Sequence, residues 1–178
     1  TKDETICENS APIQLTANPL GGIWSGTGVD SSGLFNPKIS KSGIFNAVYF
    51  FKDNNACSTS KTAKITVEKT PNLTALDSIV LCKGNNTIDL RQSLNINTNI
   101  TGGIFTYFID SFQVNQFLNL SVYAAQKIPI TIQYDRNQCR VKDTSLIILN
   151  EPVPLITTQD TFLCKYDSLF TLQVNVNN

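Results

Sequence analysis

Gly21-Gly22-Ile23-Trp24 and Gly102-Gly103-Ile104-Phe105 decide how this chain of 178 residues folds. Each stretch is a glycine pair, which suits a tight turn, followed by an apolar residue and a large aromatic ring that can open a buried strand. The pattern occurs twice, so the chain contains an internal repeat. Repeats of this kind are typical of arrays of small units rather than of one catalytic body.

Cysteines mark both ends of each copy. Each copy closes with the pattern Asp-x-Asn-x-Cys, at residues 53–57 and 135–139. A cysteine followed eight residues later by leucine occurs three times, at Cys7, Cys82 and Cys164. These offsets predict one repeat at 1-70, a second repeat at 71-154, and the start of a truncated third repeat at 155-178.

Short strand-like segments fill both copies. Residues 44–51 and 128–134 are apolar and rich in β-branched or aromatic side chains, which predicts a long central strand in each unit. One helical turn is predicted within residues 118–127. About seven short strands per unit predict an all-β fold of tandem immunoglobulin-like antiparallel β-sandwiches. Trp24 and Phe105 are expected to lie between the two sheets of their units.

The five cysteines are expected to form staples. Neither a zinc site nor a redox motif is predicted, because the chain has no Cys-x-x-Cys pair and no histidine. One cysteine at each end of a unit predicts two disulfides, Cys7–Cys57 and Cys82–Cys139, each worth about 4 kcal/mol in the chain-entropy model. Cys164 is left unpaired, with its partner expected in the remainder of the third unit. Persistent disulfides place the chain outside the reducing cytoplasm.

Composition excludes several classes of function. The 14 basic and 14 acidic residues cancel, so no basic surface for nucleic acid is predicted. No apolar run reaches the ~20 residues of a membrane-spanning helix. Without histidine no Ser-His-Asp triad can form, and we expect no enzyme, no catalytic residues, no cofactor and no metal centre. The sequence begins without methionine, and we expect it to be a mature or excised piece of a longer protein.

Three groups of residues have a functional and a structural interpretation. The turns at 53–55 and 135–137 carry oxygen ligands that suit calcium, but Asx-type hairpin turns need the same residues. Gly26-Thr27-Gly28 lacks the remainder of a phosphate loop and is expected to form a bulge or wide loop. A sugar-stacking platform is the remaining alternative to a buried core for four rings, which are Trp24, Tyr49, Tyr107 and Tyr123.

The first unit resembles a known repeat along nearly its whole length. The shared residues are Gly-Gly-Ile-Trp-Ser-Gly-Thr-Gly-Val at 21–29, Gly-Leu-Phe-Asn-Pro at 33–37, the aromatic strand and the Asp-x-Asn-x-Cys turn. The pattern is similar to the immunoglobulin-like, PKD-like tandem repeat of large surface adhesins from gliding, type-IX-secreting bacteria. The second unit keeps the cysteines, the glycine pair and the turn, and departs from the pattern after Phe105.

This resemblance implies a cell-surface or secreted module that acts as the stalk or a filament segment of an adhesin. Its expected partners are neighbouring repeats of the same chain and surface glycans or other surface proteins. Such bacteria O-glycosylate short Asp-Ser/Thr motifs, which makes Ser78 and Ser168 candidate sites. The alternative function is a carbohydrate-binding β-sandwich module of a secreted enzyme. Exposed rings favour the alternative, and buried rings favour the stalk.

Overall fold

A computed structural model describes residues 2–84, 87–124 and 126–151, and the backbone of two short strands beyond them. The first unit contains six strands and one helical turn. They are β1 (Glu4–Cys7), β2 (Ile13–Gln14), β3 (Ile23–Ser25), β4 (Leu34–Phe35), α1 (Pro37–Ser40), β5 (Gly43–Lys52) and β6 (Ser58–Glu68).

The second unit repeats this order with additional short strands. Its elements are β7 (Leu73–Thr74), β8 (Ser78–Cys82), β9 (Thr87–Asp89), α2 (Leu90–Ser93), β10 (Asn97–Thr98), β11 (Ile104–Ile109), β12 (Phe112–Val114), β13 (Phe117–Asn119), a 3-10 turn (Leu120–Val122), β14 (Gln126–Arg136) and β15 (Cys139–Asn150). Two further strands, β16 (Leu155–Thr157) and β17 (Val174–Val176), pair with each other antiparallel.

Each unit is an immunoglobulin-like sandwich, as the sequence predicts. The main sheet of the first unit has the strand order β1-β6-β5-β3, and that of the second has the order β12-β11-β14-β15-β8. In both sheets the strand that ends in a cysteine, β1 or β8, runs parallel to the last strand of the unit, and the other pairings are antiparallel. The opposing layers are the ladders β2–β4 and β9–β13.

Two separate clusters of buried side chains form the cores. The first includes Leu15, Trp24 and Val67, and the second includes Leu90 and Leu149. Trp24 is 5% exposed, which confirms its predicted place between the sheets. Phe105 packs against the second core but is only half-buried, so its predicted burial is met in part; the Arg91 guanidinium lies over its ring, 4.6 Å from the centroid. The unit limits 1-70, 71-154 and 155-178 remain predictions.

The glycine pairs are required by a tyrosine from the neighbouring strand. In the first unit the Tyr49 hydroxyl accepts the Gly22 N–H at 2.7 Å and donates to the Pro19 carbonyl at 2.6 Å. A Cβ atom on Gly22 would overlap the Tyr49 ring, and Gly21 has a φ of +92°, which few other residues adopt. The glycine pair therefore sets the close approach that lets strand β3 begin at the core.

The second unit builds the same turn with Tyr134. Its hydroxyl accepts the Gly103 N–H at 2.8 Å and donates to the Ile100 carbonyl at 2.6 Å. Gly102 has a φ of +86°, and a Cβ atom on Gly103 would overlap the Tyr134 ring. Two tyrosines that the sequence analysis did not connect with the glycine pairs are thus the reason why the pairs occur.

Short helical turns follow the strands of the smaller layer. The turn predicted within 118–127 is confirmed at Leu120–Val122, where the Asn119 side chain accepts the Ser121 N–H. Two more turns were not predicted: α1 begins after Asn36, and α2 begins after Asp89. Both preceding side chains accept backbone N–H groups of the new turn, which is the usual N-cap arrangement.

The predicted pairing of the cysteines is wrong. Cys7 is bonded to Cys139 of the second unit, and neither Cys57 nor Cys82 is in a disulfide. The reason is that β1 lies parallel beside β6, so Cys7 is level with Glu68 at the far end of that strand. Cys57 precedes the other end of β6, an 11-residue strand, about 36 Å away at ~3.3 Å per residue.

The same geometry separates Cys82 from Cys139. Cys82 is level with Asn150, the last residue of β15, and Cys139 is the first residue of that strand. The two cysteines of a unit therefore lie at opposite poles of its sandwich, and no disulfide can join them. The predicted staple inside each unit is replaced by one bond between the units. Cys164 lies outside the described residues, and its unpaired state stays a prediction.

Candidate functional site: the joint between the two units

The joint brings the end of strand β1 against the β14–β15 hairpin. Cys7 and Cys139 are 132 positions apart in the sequence, and their Cα atoms are 5.0 Å apart. Both side chains are buried, at 1% and 2% exposure. The Cys7 Sγ lies 3.4 Å from the Thr70 hydroxyl, and the Cys139 Sγ lies 3.6 Å from the Lys69 carbonyl oxygen. The linker between the units therefore wraps the disulfide.

An ion pair flanks the disulfide. Arg136, the residue across the hairpin from Cys139, extends its guanidinium to within 3.5 Å of the Glu68 carboxylate. The same guanidinium donates to the Thr101 carbonyl at 3.0 Å. Glu68 is level with Cys7 at the end of the first unit. Each partner of the disulfide thus has a charged neighbour, and the two charges are opposite in sign.

The linker itself is held by the second unit. Pro71 is buried, and the Asn72 N–H donates to the Asn99 side-chain oxygen at 2.7 Å. Leu73 and Ala75 then pack on the second core. With both ends of the short linker fixed and a disulfide beside it, the two described sandwiches are joined at two places. Sequence reasoning missed this joint because each half is assembled from residues far apart in the chain.

The aromatic platform predicted as an alternative is not present as a surface. Trp24, Tyr49 and Tyr107 are 5%, 7% and 2% exposed, and Tyr123 is half-buried against the second core. The Tyr49 ring contacts the Trp24 ring with a centroid separation of 5.0 Å. The four rings therefore divide between two cores and do not form the stacking platform that was the alternative to a buried core.

The acidic turns considered for calcium engage their carboxylates locally. The Asp53 side chain accepts the N–H groups of Asn55 and Cys57, at 2.9 and 2.8 Å. Among the residues that the structure describes, no group of three or more potential metal ligands converges. The hairpin therefore uses Asp53 for its own closure.

Asp135 is engaged by side chains instead. Its carboxylate accepts hydrogen bonds from Arg140 at 2.6 Å and from Gln133 at 2.6 Å. Burial by itself raises the pKa of Asp135, but these two hydrogen bonds and the positive charges of Arg140 and Lys142 outweigh it and hold the pKa below its ordinary value. The carboxylate is a fixed anion of the second hairpin.

The glycine loop of the first unit has a structural role. Gly26 has a φ of +141° and faces the Asn46 carbonyl, and Gly28 has a φ of +79° beside Phe35. Side chains on either glycine would meet these neighbours, so the loop needs glycine without any ligand. This outcome matches the predicted bulge or wide loop.

The candidate glycosylation sites differ in what can be said of them. Ser78 is exposed at the start of β8, an edge strand whose described neighbour is β15. Ser168 lies outside the described residues. Modification of either residue stays a prediction. In the described part of the chain, no helix is both long enough and apolar enough to cross a membrane.

The fold and the joint define a tandem of immunoglobulin-like β-sandwiches, linked by one disulfide between units. No protein-family model matches the sequence, and no curated protein is detectably similar to it. Among solved structures, the chain is similar to the Sidekick-1 immunoglobulin domains 1-5, at 12% identity over 89% of this chain and with a TM-score of 0.43. It spans 39% of that structure.

Two other similar structures are also tandems. Drosophila OTK extracellular domains 3-5 match at 9% identity with a TM-score of 0.45, over 84% of this chain and 59% of theirs. Titin domains I67-I69, in an E-to-A variant, match at 9% identity with a TM-score of 0.41, over 89% of this chain and 65% of theirs.

Proposed function

We propose that this chain is a non-catalytic segment of the stalk or filament of a bacterial adhesin, secreted or held at the cell surface. The observation that carries the proposal is the disulfide between Cys7 and Cys139. A stalk transmits tension along its length, and this bond changes which residues the tension reaches. The resemblance of the first unit to adhesin repeats supports the same function.

The disulfide gives tension a covalent route around most of the chain. A force applied at the two ends passes from Cys7 to Cys139 through the sulfur atoms. The 131 residues between them, at a sequence separation of 132, are outside this route. The whole β5–β6 hairpin and the Trp24 core belong to that protected segment. Strand β1 of the first unit and strand β15 of the second lie outside the protected segment, so tension pulls on them, but the length of residues 8–138 is not released while the bond is intact.

The joint also limits bending between the units. The buried disulfide, the Arg136–Glu68 pair and the anchored Pro71 linker contact one another or the same strand ends. Flexible linkers lack such contacts and let neighbouring domains move independently. We infer a semi-rigid rod whose units are partners of one another, and whose outer surface is free for surface glycans or other surface proteins.

The chemistry of the joint supports the proposed extracellular location. Disulfides persist in oxidising compartments and are rare in the reducing cytoplasm. A stalk on the outside of the cell can keep the Cys7–Cys139 bond, and the same bond would be lost inside. The proposed location and the proposed mechanical role therefore depend on one feature.

Force spectroscopy on single molecules tests the proposal. The full chain is pulled through handles at its two ends, with and without a reductant. Without reductant, residues 8–138 should add no contour length between the handles. After reduction they should add about 450 Å, at ~3.3–3.6 Å per residue. The double variant Cys7→Ser/Cys139→Ser should release this length without reductant, and Cys57→Ser/Cys82→Ser should not. Release of the first unit from the oxidised wild-type chain would contradict the proposal.

A further inference from the structure

Two described cysteines take no part in the joint. Cys57 and Cys82 are both exposed thiols. Cys57 lies at the pole of the first unit that is far from Cys7, and Cys82 lies at the pole of the second unit that is far from Cys139. Both sandwiches separate the two thiols, so they cannot bond within one copy of the chain.

Cys82 has the same setting as Cys7. Each is the last residue of the strand that runs parallel beside the final strand of its unit, and each is level with the last residue of that final strand, Glu68 or Asn150. The next N–H group bonds to that last residue in both cases, from Glu8 to Glu68 at 2.9 Å and from Lys83 to Asn150 at 2.7 Å. In the second unit the backbone around Cys82 is therefore paired with the end of the last strand in the same way as the backbone around Cys7 is in the joint.

Cys57 and Cys139 both lie where the hairpin enters the last strand of its unit: Cys139 is the first residue of β15, and Cys57 directly precedes β6. Each closes the hairpin before the last strand, opposite Asp53 or Arg136. Each lies ten positions before the last buried residue of that strand, which is Val67 or Leu149. Side chains alternate between the faces of a strand, so an even spacing turns both cysteines toward the same face. The first unit therefore presents the hairpin half of the joint.

We propose that Cys82 and Cys57 are the two open halves of a second joint of the same kind. Cys82 bonds the hairpin cysteine of another unit of this repeat, and Cys57 bonds the strand-end cysteine of another. In a preparation of this chain a second copy supplies such a unit, and the product is a head-to-tail row in which Cys57 of one copy is linked to Cys82 of the next. The evidence that such halves match is the Cys7–Cys139 bond between equivalent positions.

A small-molecule disulfide such as oxidised glutathione supplies the oxidising equivalents. The Cys82 thiolate attacks it, forms a mixed disulfide and releases one glutathione thiol. The Cys57 thiolate of the second copy then attacks the Cys82 sulfur and releases the second glutathione. Two cysteine thiols lose two electrons and two protons in total, and one glutathione disulfide gains them as two thiols.

The inference shares the Cys7–Cys139 joint with the proposed stalk, but its test uses other residues. The full chain is prepared with Cys164→Ser, because the sequence places Cys164 at the position of Cys7 and Cys82, where it would compete. Two further variants are made in this background, Cys57→Ser and Cys82→Ser. Each is oxidised alone and mixed with the other in a glutathione buffer, and the products are separated without reductant and mapped by mass spectrometry.

Each variant alone should stay largely monomeric, and the mixture should give a dimer linked through Cys57 and Cys82. The Cys164→Ser chain with both thiols should give a ladder of longer rows. A matched control moves the hairpin thiol by one position, with Ser58→Cys in the chain that carries Cys57→Ser. Adjacent residues face opposite sides of a strand, so this control should lose the preference for Cys82.

Three outcomes would overturn the inference. The first is that each variant dimerises with itself as often as random pairing predicts. The second is that the Ser58→Cys control gives the same yield of mixed dimer as the chain that carries Cys57. The third is that the mixture gives no dimer. A loss of force protection in the stalk experiment would leave this result unchanged, because that experiment depends on Cys7 and Cys139. Failure of the thiol pairing would likewise leave the mechanical result standing.

Discussion

The rings of Trp24 and Tyr49 lie 5.0 Å apart between centroids, on directly opposed positions of strands β3 and β5. Phe105 and Tyr134 hold the same relationship in the second unit, at 4.6 Å. In each pair the tyrosine hydroxyl also closes the glycine turn that precedes the other ring. The turn, the strand start and the core of a unit therefore depend on one pair of side chains.

Replacing Trp24 with alanine should unfold the first unit or bring it close to unfolding. The side chain is 5% exposed, and truncation of a buried large aromatic costs about 3–5 kcal/mol. Urea unfolding followed by far-UV circular dichroism measures the loss. Trp24→Phe should lose less, because it keeps a ring against Tyr49. Equal stability of the wild type and Trp24→Ala would remove Trp24 from the core.

Trp24 is also a direct reporter, because the chain has one tryptophan. Its emission in the native protein should be blue-shifted and protected from iodide, and should shift to the red when the first unit unfolds. Red-shifted native emission that iodide quenches readily would place the ring at the surface and return the sugar-stacking alternative to consideration.

Tyr49→Phe should destabilise the first unit by about 1–3 kcal/mol, the usual cost of leaving partly buried hydrogen-bonding groups unpaired. The change removes the partner of the Gly22 N–H and of the Pro19 carbonyl. Urea unfolding followed by Trp24 fluorescence measures the effect.

Tyr107→Phe is the matched control, followed by tyrosine absorbance of the second unit. The Tyr107 hydroxyl is buried and has no hydrogen-bond partner among the described residues, and burial raises its pKa. Its removal should leave stability unchanged or slightly increased. A larger loss for Tyr107→Phe than for Tyr49→Phe would contradict the role assigned to the two hydroxyls.

The strands and the cores were predictable because their signals are local. Alternation around residues 44–51 and 128–134, together with the glycine pairs, predicts strands and turns from a few neighbouring residues. Asn36 and Pro37 carry a start signal for α1 that the sequence analysis did not use. The missed element was therefore also present in local sequence.

The joint was not predictable in this way. It depends on β1 lying parallel beside β6 and on β8 lying parallel beside β15, contacts between the two ends of each unit. Spacing along the chain shows that Cys7 and Cys57 bound a unit, and it does not show that they lie at opposite poles. Arg136 occupies the variable second position of the Asp-x-Asn-x-Cys turn, where nothing in the pattern indicates a partner in the other unit.

Protonation of Asp30 at low pH should destabilise the loop that precedes β4. Its carboxylate accepts the Ser32 hydroxyl at 2.7 Å and the Leu34 N–H at 2.9 Å. The Ser32 hydroxyl first, and then the Leu34 N–H, hold the pKa of Asp30 below its ordinary value of 3.8. A lowered folded-state pKa means that the stabilisation is fully present above pH ~4 and is lost as the pH falls through the folded-state pKa.

Asp30→Asn checks this pH dependence. Asparagine keeps an acceptor oxygen and has no charge to lose, so the stability difference between wild type and variant should shrink as the pH falls below about 4. Urea unfolding followed by Trp24 fluorescence at several pH values measures it. A constant difference across this range would show that the charge of Asp30 does not stabilise the loop.

Loss of the joint should destabilise the first unit even though the bond lies at its edge. While the second unit is folded, the linker at Thr70 lies beside Cys7, so the disulfide closes the first unit into a loop of its own. Closing a loop of roughly 65 residues is worth about 4 kcal/mol in the chain-entropy model, and Cys139→Ser removes this constraint.

The urea midpoint for unfolding of the first unit, followed by Trp24 fluorescence, should therefore fall in Cys139→Ser. Reduction of the wild-type protein should lower this midpoint equally. Cys57→Ser should not change it, and Arg136→Ala should cost only about 0–1 kcal/mol, as partly exposed ion pairs do. A Trp24 midpoint that is insensitive to both Cys139→Ser and reductant would mean that the disulfide links the units without stabilising either.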